Sequence, residues 1–312
     1  MLLWSKLKKC CKYVKDKNYR IIVNSYLGLY DRIPDEQYLK RLFKANLGYE
    51  LDLKNPETFN EKLQWLKIHD RNPLYTTIVD KYAVKNYVEK IIGKQYIIPN
   101  LGVWNSFEEI NFSELPDQFV LKCTHDSGGV VLCKNKEEFD ISRARKIINK
   151  SLKKNYYLSG REWPYKHVKP RIIAEKYMSN HNGEELQDYK FFCFNGVVKC
   201  LYVSEQSHSD EQKLQFFDRD YNPIDCKRKD YNEYTTLPKK PVNYAEMIDI
   251  AEKLSREIPH VRVDLYEINH QVYFGEMTFF TGSGFIPFEN KKWDNQLGKY
   301  LKISVQGRNI NY

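Results

Sequence analysis

The chain reads as an α+β protein in which a helical N-terminal region precedes small sheets. Three observations predict this. Residues 1 to about 95 keep their apolar side chains at helical spacing. From about Pro99 the period changes to strand-like alternation broken by glycine and asparagine turns. The strands come in hairpins and small groups with single helices between them, not as a regular βαβ series.

In the helical part, "NPETFNEKLQWLKIHD" carries a start signal at Asn55-Pro56 and sets Phe59, Leu63 and Leu66 on one stripe. "TIVDKYAVKNYVEKII" repeats the pattern as one helix through Val79, Ala83 or Val84, Tyr87 and Ile91, and Gly93 closes it. Beyond Pro99, "FVLKCTHDSGGVVLC" is a strand, a glycine-containing turn and a second strand. "EEFDISRARKIINKSLKK" is a helix, and "RIIAEKYM" a short apolar strand. "DYKFFCFNGVVKCLYVS" and "KLQFFDRDYNPI" read as hairpins turning at Asn195-Gly196 and at Asp220-Tyr221-Asn222. "NYAEMIDIAEKLSREI" is an amphipathic helix, and "VRVDLYEINHQVYFGEMTF" a last hairpin.

Composition narrows the function classes. With 312 residues, 29% charged and 14% aromatic, the chain can bury a full core and is not disordered. No apolar run approaches the ~20 residues of a membrane helix. In "MLLWSKLKKCCKYVK" the apolar stretch is too short for a signal peptide and the basic residues follow it, so the chain reads as cytoplasmic. Seven cysteines without a CxxC predict neither disulfides nor a structural metal. Residues 1–20 hold seven Lys/Arg against Asp16, or +6, which leaves +3 of the total +9 for everything else. A basic fold wrapped around nucleic acid is therefore disfavoured. Leu3, Leu7, Cys10 or Cys11, and Val14 recur at helical spacing with Trp4 beside them. Residues 1–20 thus fit either peripheral contact with an anionic membrane face or an ordinary helix docked on the protein.

Candidate chemistry sits in three places. Lys122 precedes the turn Ser127-Gly128-Gly129, whose backbone amides can approach phosphate closely; a plain hairpin turn explains the same residues. Lys190 lies on an aromatic-rich strand, as a phosphate contact or a snorkelling edge lysine. In the last hairpin, Arg262-x-Asp264 and Glu276-x-Thr278 share a face only if the connection has an odd residue count or a bulge. A three-residue loop Ile268-Asn269-His270 would set Arg262 opposite Glu276. Two carboxylates that close call for a cation between them, and Mg²⁺ fits, with phosphates and water completing its shell. A surface Arg262–Glu276 ion pair is the plainer reading.

The order of these elements resembles the ATP-grasp superfamily, in which two α+β subdomains hold ATP between two antiparallel sheets. The stretches "NPETFNEKLQWLKIHDRNPLYTTIVDKYAVKNYV", "FVLKCTHDSGGV", "REWPYKHVKPRIIAEKYM", "DYKFFCFNGVVKCLYV" and "FFDRDYN" are similar to the TupA-like ATP-grasp proteins of bacterial surface polysaccharide clusters, over about residues 40–290. The resemblance implies ATP and Mg²⁺ as cofactors. It implies Lys122 and Lys190 on the phosphates, Ser127, Gly128 and Gly129 as a lid, and Glu175 near the adenine amino group. The backbone of Lys176, Tyr177 and Met178 would bond the base. Arg262 would stabilise the transferred phosphoryl group, while Asp264 and Glu276 hold Mg²⁺. Thr278 stands where the superfamily usually has asparagine, as a third Mg²⁺ residue whose hydroxyl can still ligate the ion. The implied organisation is a basic segment 1–35, a helical region 36–110 and an ATP-grasp domain 111–312. That domain has a lid half over about 115–180 and a metal-site half over about 185–312.

The implied function is a carboxylate–amine ligase acting on a sugar carboxylate, such as a uronic acid, and an amine or amino acid. Two rivals are open: a glycosyltransferase using Asp218-x-Asp220 for a nucleotide sugar, and an ATP-grasp sugar kinase. His125 reads as a phosphate contact or a local hydrogen-bond partner. Arg161, Lys166 and Arg171 read as contacts for an anionic sugar or as a solvated loop.

Overall fold

A computed structural model describes residues 2–181, 183, 185–205 and 212–304, with the backbone alone for residues 2–8. Helices α1 (Leu2–Lys15), α2 (Lys17–Tyr26), α3 (Asp35–Leu47), α4 (Phe59–His69), α5 (Leu74–Val79) and α6 (Ala83–Ile92) come first. Strands β1 (Asn100–Trp104), β2 (Phe119–Cys123) and β3 (Val130–Cys133) follow, then α7 (Ile141–Leu152) and α8 (Tyr156–Gly160). The remainder is β4 (Ile172–Lys176), β5 (Gln187–Phe194), β6 (Val197–Glu205), β7 (Leu214–Asp218), α9 (Tyr244–Leu254), β8 (His260–Ile268), β9 (Gln271–Thr278) and α10 (Lys291–Tyr300). Among the described residues no helix is long and apolar enough to cross a membrane.

The chain gathers into two units. The first takes residues up to Arg71, Tyr157–Trp163 and the residues from Phe280 onward; the second takes Asn72–Tyr156 and Pro164–Phe279. In the first unit, Tyr38, Leu39, Leu42 and Phe43 of α3 pack with Leu51, and Ile21 and Ile22 of α2 close over them. The stripe Phe59, Leu63 and Leu66 of α4 is buried as its spacing predicts. The helix starts later than Asn55-Pro56. The Thr58 side chain accepts from the Glu61 N–H and the Glu61 carboxylate accepts from the Thr58 N–H, a reciprocal cap that satisfies two free donors. A second stripe of α4, Asn60, Gln64 and Lys67, is buried and polar because it holds irregular backbone. Gln64 donates to the Ser283 and Gly284 carbonyls, and Lys67 to those of Gly160 and Ser283.

The second unit contains two antiparallel sheets, ordered β1-β4-β2-β3 and β7-β6-β5-β8-β9. Helix α7 covers the first over Phe119, Leu121, Cys123, Ile172 and Ala174; α9 lies on β5, β6 and β8 through Met247, Ile250, Ala251 and Leu254. The sequence reading differs here in three ways. The single helix expected over "TIVDKYAVKNYVEKII" is two, because the Asp80 side chain accepts from the Tyr82 and Ala83 N–H groups and restarts the helix. The buried stripe of α6 is accordingly Val84, Lys85 and Val88, with Ile91 exposed. Strand β1 had no alternating signal. The strand at Leu214 pairs with β6, and its expected return survives only as one bridge, Phe217 to Pro223.

Candidate functional site

The β8–β9 hairpin shows how local backbone creates chemistry. Its turn is two residues, Asn269-His270, both at positive φ, with Ile268 paired to Gln271. The three-residue loop is therefore not present, and with simple pairing Arg262 would face Met277. A bulge at Gly275 inserts one residue, so that Arg262 pairs with Thr278 and Asp264 with Glu276. A Cβ at position 275 would lie 2.9 Å from the Tyr266 ring and 3.0 Å from the Asp264 carbonyl oxygen. Glycine there lets the two backbones approach, and the bulge turns both carboxylates to one face.

On that face Arg262 donates through Nε to Asp264 Oδ1 at 2.6 Å and through Nη2 to Oδ2 at 2.7 Å. The same Nη2 reaches Glu276 Oε1 at 3.1 Å and Thr278 Oγ1 at 3.0 Å, and the Thr278 hydroxyl donates to Glu276 Oε1 at 3.0 Å. Neighbouring β5 adds Lys190, paired in register with Asp264, whose Nζ lies 2.6 Å from Asp264 Oδ2 and also bonds Asp188. Burial alone would discharge Lys190, but Asp188 and Asp264 outweigh it and raise its pKa, so it stays a cation. Burial pushes the Asp188 carboxyl up; Lys190 opposes the shift and Asp264 adds to it. Asp188 Oδ1 is buried without a hydrogen-bond partner. Burial also acts on Glu276, yet Arg262 and Lys190 hold it below the usual carboxylate range. Its side chain is 49% exposed, so water screens part of that pull.

The four-stranded sheet supplies a second charge cluster. Glu175 of β4 is clamped between Lys85 Nζ at 2.5 Å and Lys122 Nζ at 2.6 Å. Burial would raise Glu175, but the two lysines overcome it and hold it at about 2. A cavity of about 200 Å³ joins the clusters, lined by Lys81, Lys85, Lys122, Glu175, Asp188, Lys190, Asp264 and Glu276. Next to it lies a cavity of about 550 Å³ of mixed lining, where Val120, Leu132, Met178 and Ile268 form an apolar wall and Gln118, Lys134, Lys176 and Glu185 a polar one, with Tyr177 between. Lys122, Glu175, Ile98 and Tyr266 border both. Within the wall, the Lys176 N–H is taken by the Pro99 carbonyl at 3.0 Å.

Ser127 and Gly128 are exposed at the tip of the β2–β3 loop. Gly128 has φ +120°, and a Cβ at Gly129 would fall 2.0 Å from Ser151 Oγ, so packing against α7 alone requires glycine at 129. Ser151 donates to Asp126, and Lys81 donates to the Asp126 carbonyl, tying the loop at its base. His125 faces the Lys154 carbonyl at 3.1 Å, the local role.

Of the residues the sequence singled out, Lys122, Glu175, Lys190, Asp264 and Glu276 line one cavity, while Lys176, Tyr177 and Met178 line its neighbour. Arg262 and Thr278 bond to Glu276 at its edge. Sequence reasoning missed Lys81, Lys85, Asp188 and Tyr266. A signal existed for the lysines, four residues apart beside an apolar stripe, and for Asp188, two residues before Lys190 on the same strand face. Arg161 and Arg171 are committed elsewhere: Arg161 donates to the Tyr30 and Asp31 carbonyls, and Arg171 pairs with Asp80 at 2.6 Å. Asp218 closes a turn. Its Oδ1 accepts from the Asp220 and Asn222 N–H groups and its Oδ2 from the Asn222 side chain, an arrangement that needs no metal.

Among the described residues no group of three or more His, Cys, Asp or Glu is placed to hold a metal by itself. Mg²⁺ needs less: one or two carboxylates, with phosphate and water completing its shell. Asp264 and Glu276 are directly paired across two strands beside five cationic side chains, Lys81, Lys85, Lys122, Lys190 and Arg262. Both Asp264 oxygens accept from Arg262 and one also from Lys190, so half-open Glu276 offers the accessible carboxylate.

The family model described as TupA-like ATPgrasp matches residues 61–302. Solved structures similar to the chain include a D-alanine-D-alanine ligase from Helicobacter pylori, at 15% identity and TM-score 0.40, covering 80% of this chain and 70% of that one. An L-amino acid ligase from Bacillus licheniformis matches at 11% identity and TM-score 0.41, covering 72% and 47%. A D-alanine–D-alanine ligase from Bacillus anthracis, complexed with ATP, matches at 16% identity and TM-score 0.37, covering 65% and 55%. The chain thus spans about half the length of the latter two. No curated protein sequence matches it.

Proposed function

This chain belongs to the TupA-like ATP-grasp family and is an ATP-grasp enzyme; from that premise we propose that it is an ATP- and Mg²⁺-dependent carboxylate–amine ligase. The supporting observation is the joined pair of cavities, one with an apolar wall of Val120, Leu132, Met178 and Ile268 and bordered by the segment Lys176–Met178, the other ringed by Lys81, Lys85, Lys122 and Lys190 with Asp264 and Glu276. The base would lie in the first and the triphosphate in the second. Ser127, Gly128 and Gly129 would cover it. Glu175 would stand near the adenine amino group while keeping Lys122 in place. Bound at Asp264 and Glu276, with Thr278 beside them, Mg²⁺ would offset triphosphate charge.

The substrate carboxylate attacks the γ-phosphorus and ADP leaves, giving an acylphosphate. An amine then attacks the carbonyl, phosphate departs, an amide forms and a proton is released. Lys190 and Arg262 stabilise the charge that develops on the transferred group, the main task of a protein in phosphoryl transfer. The family's association with bacterial surface polysaccharides favours a uronic acid as the carboxylate and an amino acid as the amine.

The test is ADP and phosphate release from Mg-ATP with a uronic acid, with and without an amino-acid mixture. Amine-dependent release of both is expected, falling about 100-fold or more in Glu276→Gln. ADP without phosphate would make the protein a kinase. Stabilisation by a nucleotide sugar with no ATP turnover would sink the proposal.

A further inference from the structure

Residues 23–33 form a turn with an unusual surface. The Leu27 N–H bonds the Val23 carbonyl, Gly28 that of Ser25, Leu29 that of Asn24, and Asp31 that of Gly28, so the backbone is closed and ordered. On one side Ile21 and Ile22 hold it to the core of the first unit, and on the other Tyr30 and Ile33 do the same. Between these anchors, Tyr26 is 82% exposed, Leu27 67% and Leu29 64%. A single exposed leucine is ordinary; three large apolar side chains within four residues, held outward by anchored backbone, mark an interaction surface. Apart from the half-buried Ile21 and Ile22, α2 adds little to the core, and Val14, near the end of α1, is 71% exposed.

The charge of the segment that leads into this turn selects its partner. Residues 1–32 carry Lys6, Lys8, Lys9, Lys12, Lys15, Lys17, Arg20 and Arg32 against Asp16 and Asp31, eight positive to two negative. Lys9, Lys15 and Lys17 are exposed. A second copy of this chain would bring the same positive charge against itself. A polyphosphate chain would satisfy the lysines and leave Leu27 and Leu29 in water. An anionic bilayer offers both a negative surface for the lysines and an apolar layer for Tyr26, Leu27 and Leu29.

We propose that the 26–29 turn and the flanking lysines of α1 and α2 form a peripheral docking surface for anionic lipid. It rests on nothing in the ATP site. Each lysine near such a surface contributes about fivefold to the partition coefficient.

The test uses the full chain and vesicles of phosphatidylcholine with or without phosphatidylglycerol, read by co-sedimentation at low and high salt. Binding is expected only to the phosphatidylglycerol vesicles and should weaken with salt. Tyr26→Ser/Leu27→Ser/Leu29→Ser and Lys9→Glu/Lys15→Glu/Lys17→Glu should each lower the partition coefficient at least about tenfold while retaining the wild-type melting curve. Wild type left in the supernatant would overturn the proposal, as would a serine variant that partitions like wild type. So would a dimer seen by light scattering that the serine variant dissolves, in the absence of vesicle binding.

Discussion

Glu175 illustrates how one side chain carries both stability and site geometry. Its carboxylate is buried between Lys85 and Lys122, and its folded pKa is depressed from 4.5 to about 2. A depressed carboxylate contributes stability that is fully present above its unfolded pKa and is lost as pH falls through the folded value. The contribution, on the order of 3 kcal/mol, is therefore complete above about pH 5 and fades toward pH 2. Glu175→Gln leaves two cations without their partner and lacks this dependence. Melting curves should show a large gap between wild type and Glu175→Gln at neutral pH, closing as pH falls below about 4.5. A gap that stays constant down to pH 2 would contradict the assigned ion pairs. Lys190 is held likewise by Asp188 and Asp264, so a triphosphate would meet lysines already charged and positioned.

At the scale of elements, the β8–β9 hairpin matters most. One extra residue at Gly275 decides whether Asp264 and Glu276 face each other or point to opposite sides of the sheet. Gly275→Ala places a Cβ against the Tyr266 ring and the Asp264 carbonyl, and overpacking of that kind costs about 1–3 kcal/mol. A lower denaturation midpoint is expected, together with at least a tenfold fall in ATP-dependent phosphate release, because relaxing the bulge moves the carboxylates apart. Unchanged turnover with unchanged stability would show that glycine is not what holds the bulge. The break between α5 and α6 works the same way: Asp80 restarts the helix, and Lys81, in the gap, reaches the base of the glycine loop while Lys85 reaches Glu175.

For the whole molecule, the charged cavity and its larger neighbour both lie in the second unit, between sheets contributed by residues 100–176 and 187–278. Ligand that binds only the folded state stabilises it by mass action. Mg-ATP at about 100 times its dissociation constant should add about 2.7 kcal/mol, or roughly 5–10 °C in Tm for a unit of this size. Glu276→Gln should lose most of that shift. If ATP without Mg²⁺ gave the full shift, the pairing of Asp264 with Glu276 would not be a metal site.

The α+β class, most strands, the buried stripe of α4 and the gathering of Lys122, Lys190, Asp264 and Glu276 around one cavity, with Arg262 bonded at its edge, were legible in the amino-acid order. Each is written in local periodicity or in a short motif similar to a known family. The part that only tertiary structure decided was of another kind. The Gly275 bulge, the Asp80 break, the two lysines on Glu175 and the closed Asp218 turn depend on which backbone groups find partners across the chain, and periodicity carries no record of that. Side chains such as Lys81, Lys85 and Asp188 look like ordinary charged residues in sequence. They acquire a role because long-range strand pairing and helix docking bring like and unlike charges into one low-dielectric cleft, where burial makes each pairing obligatory.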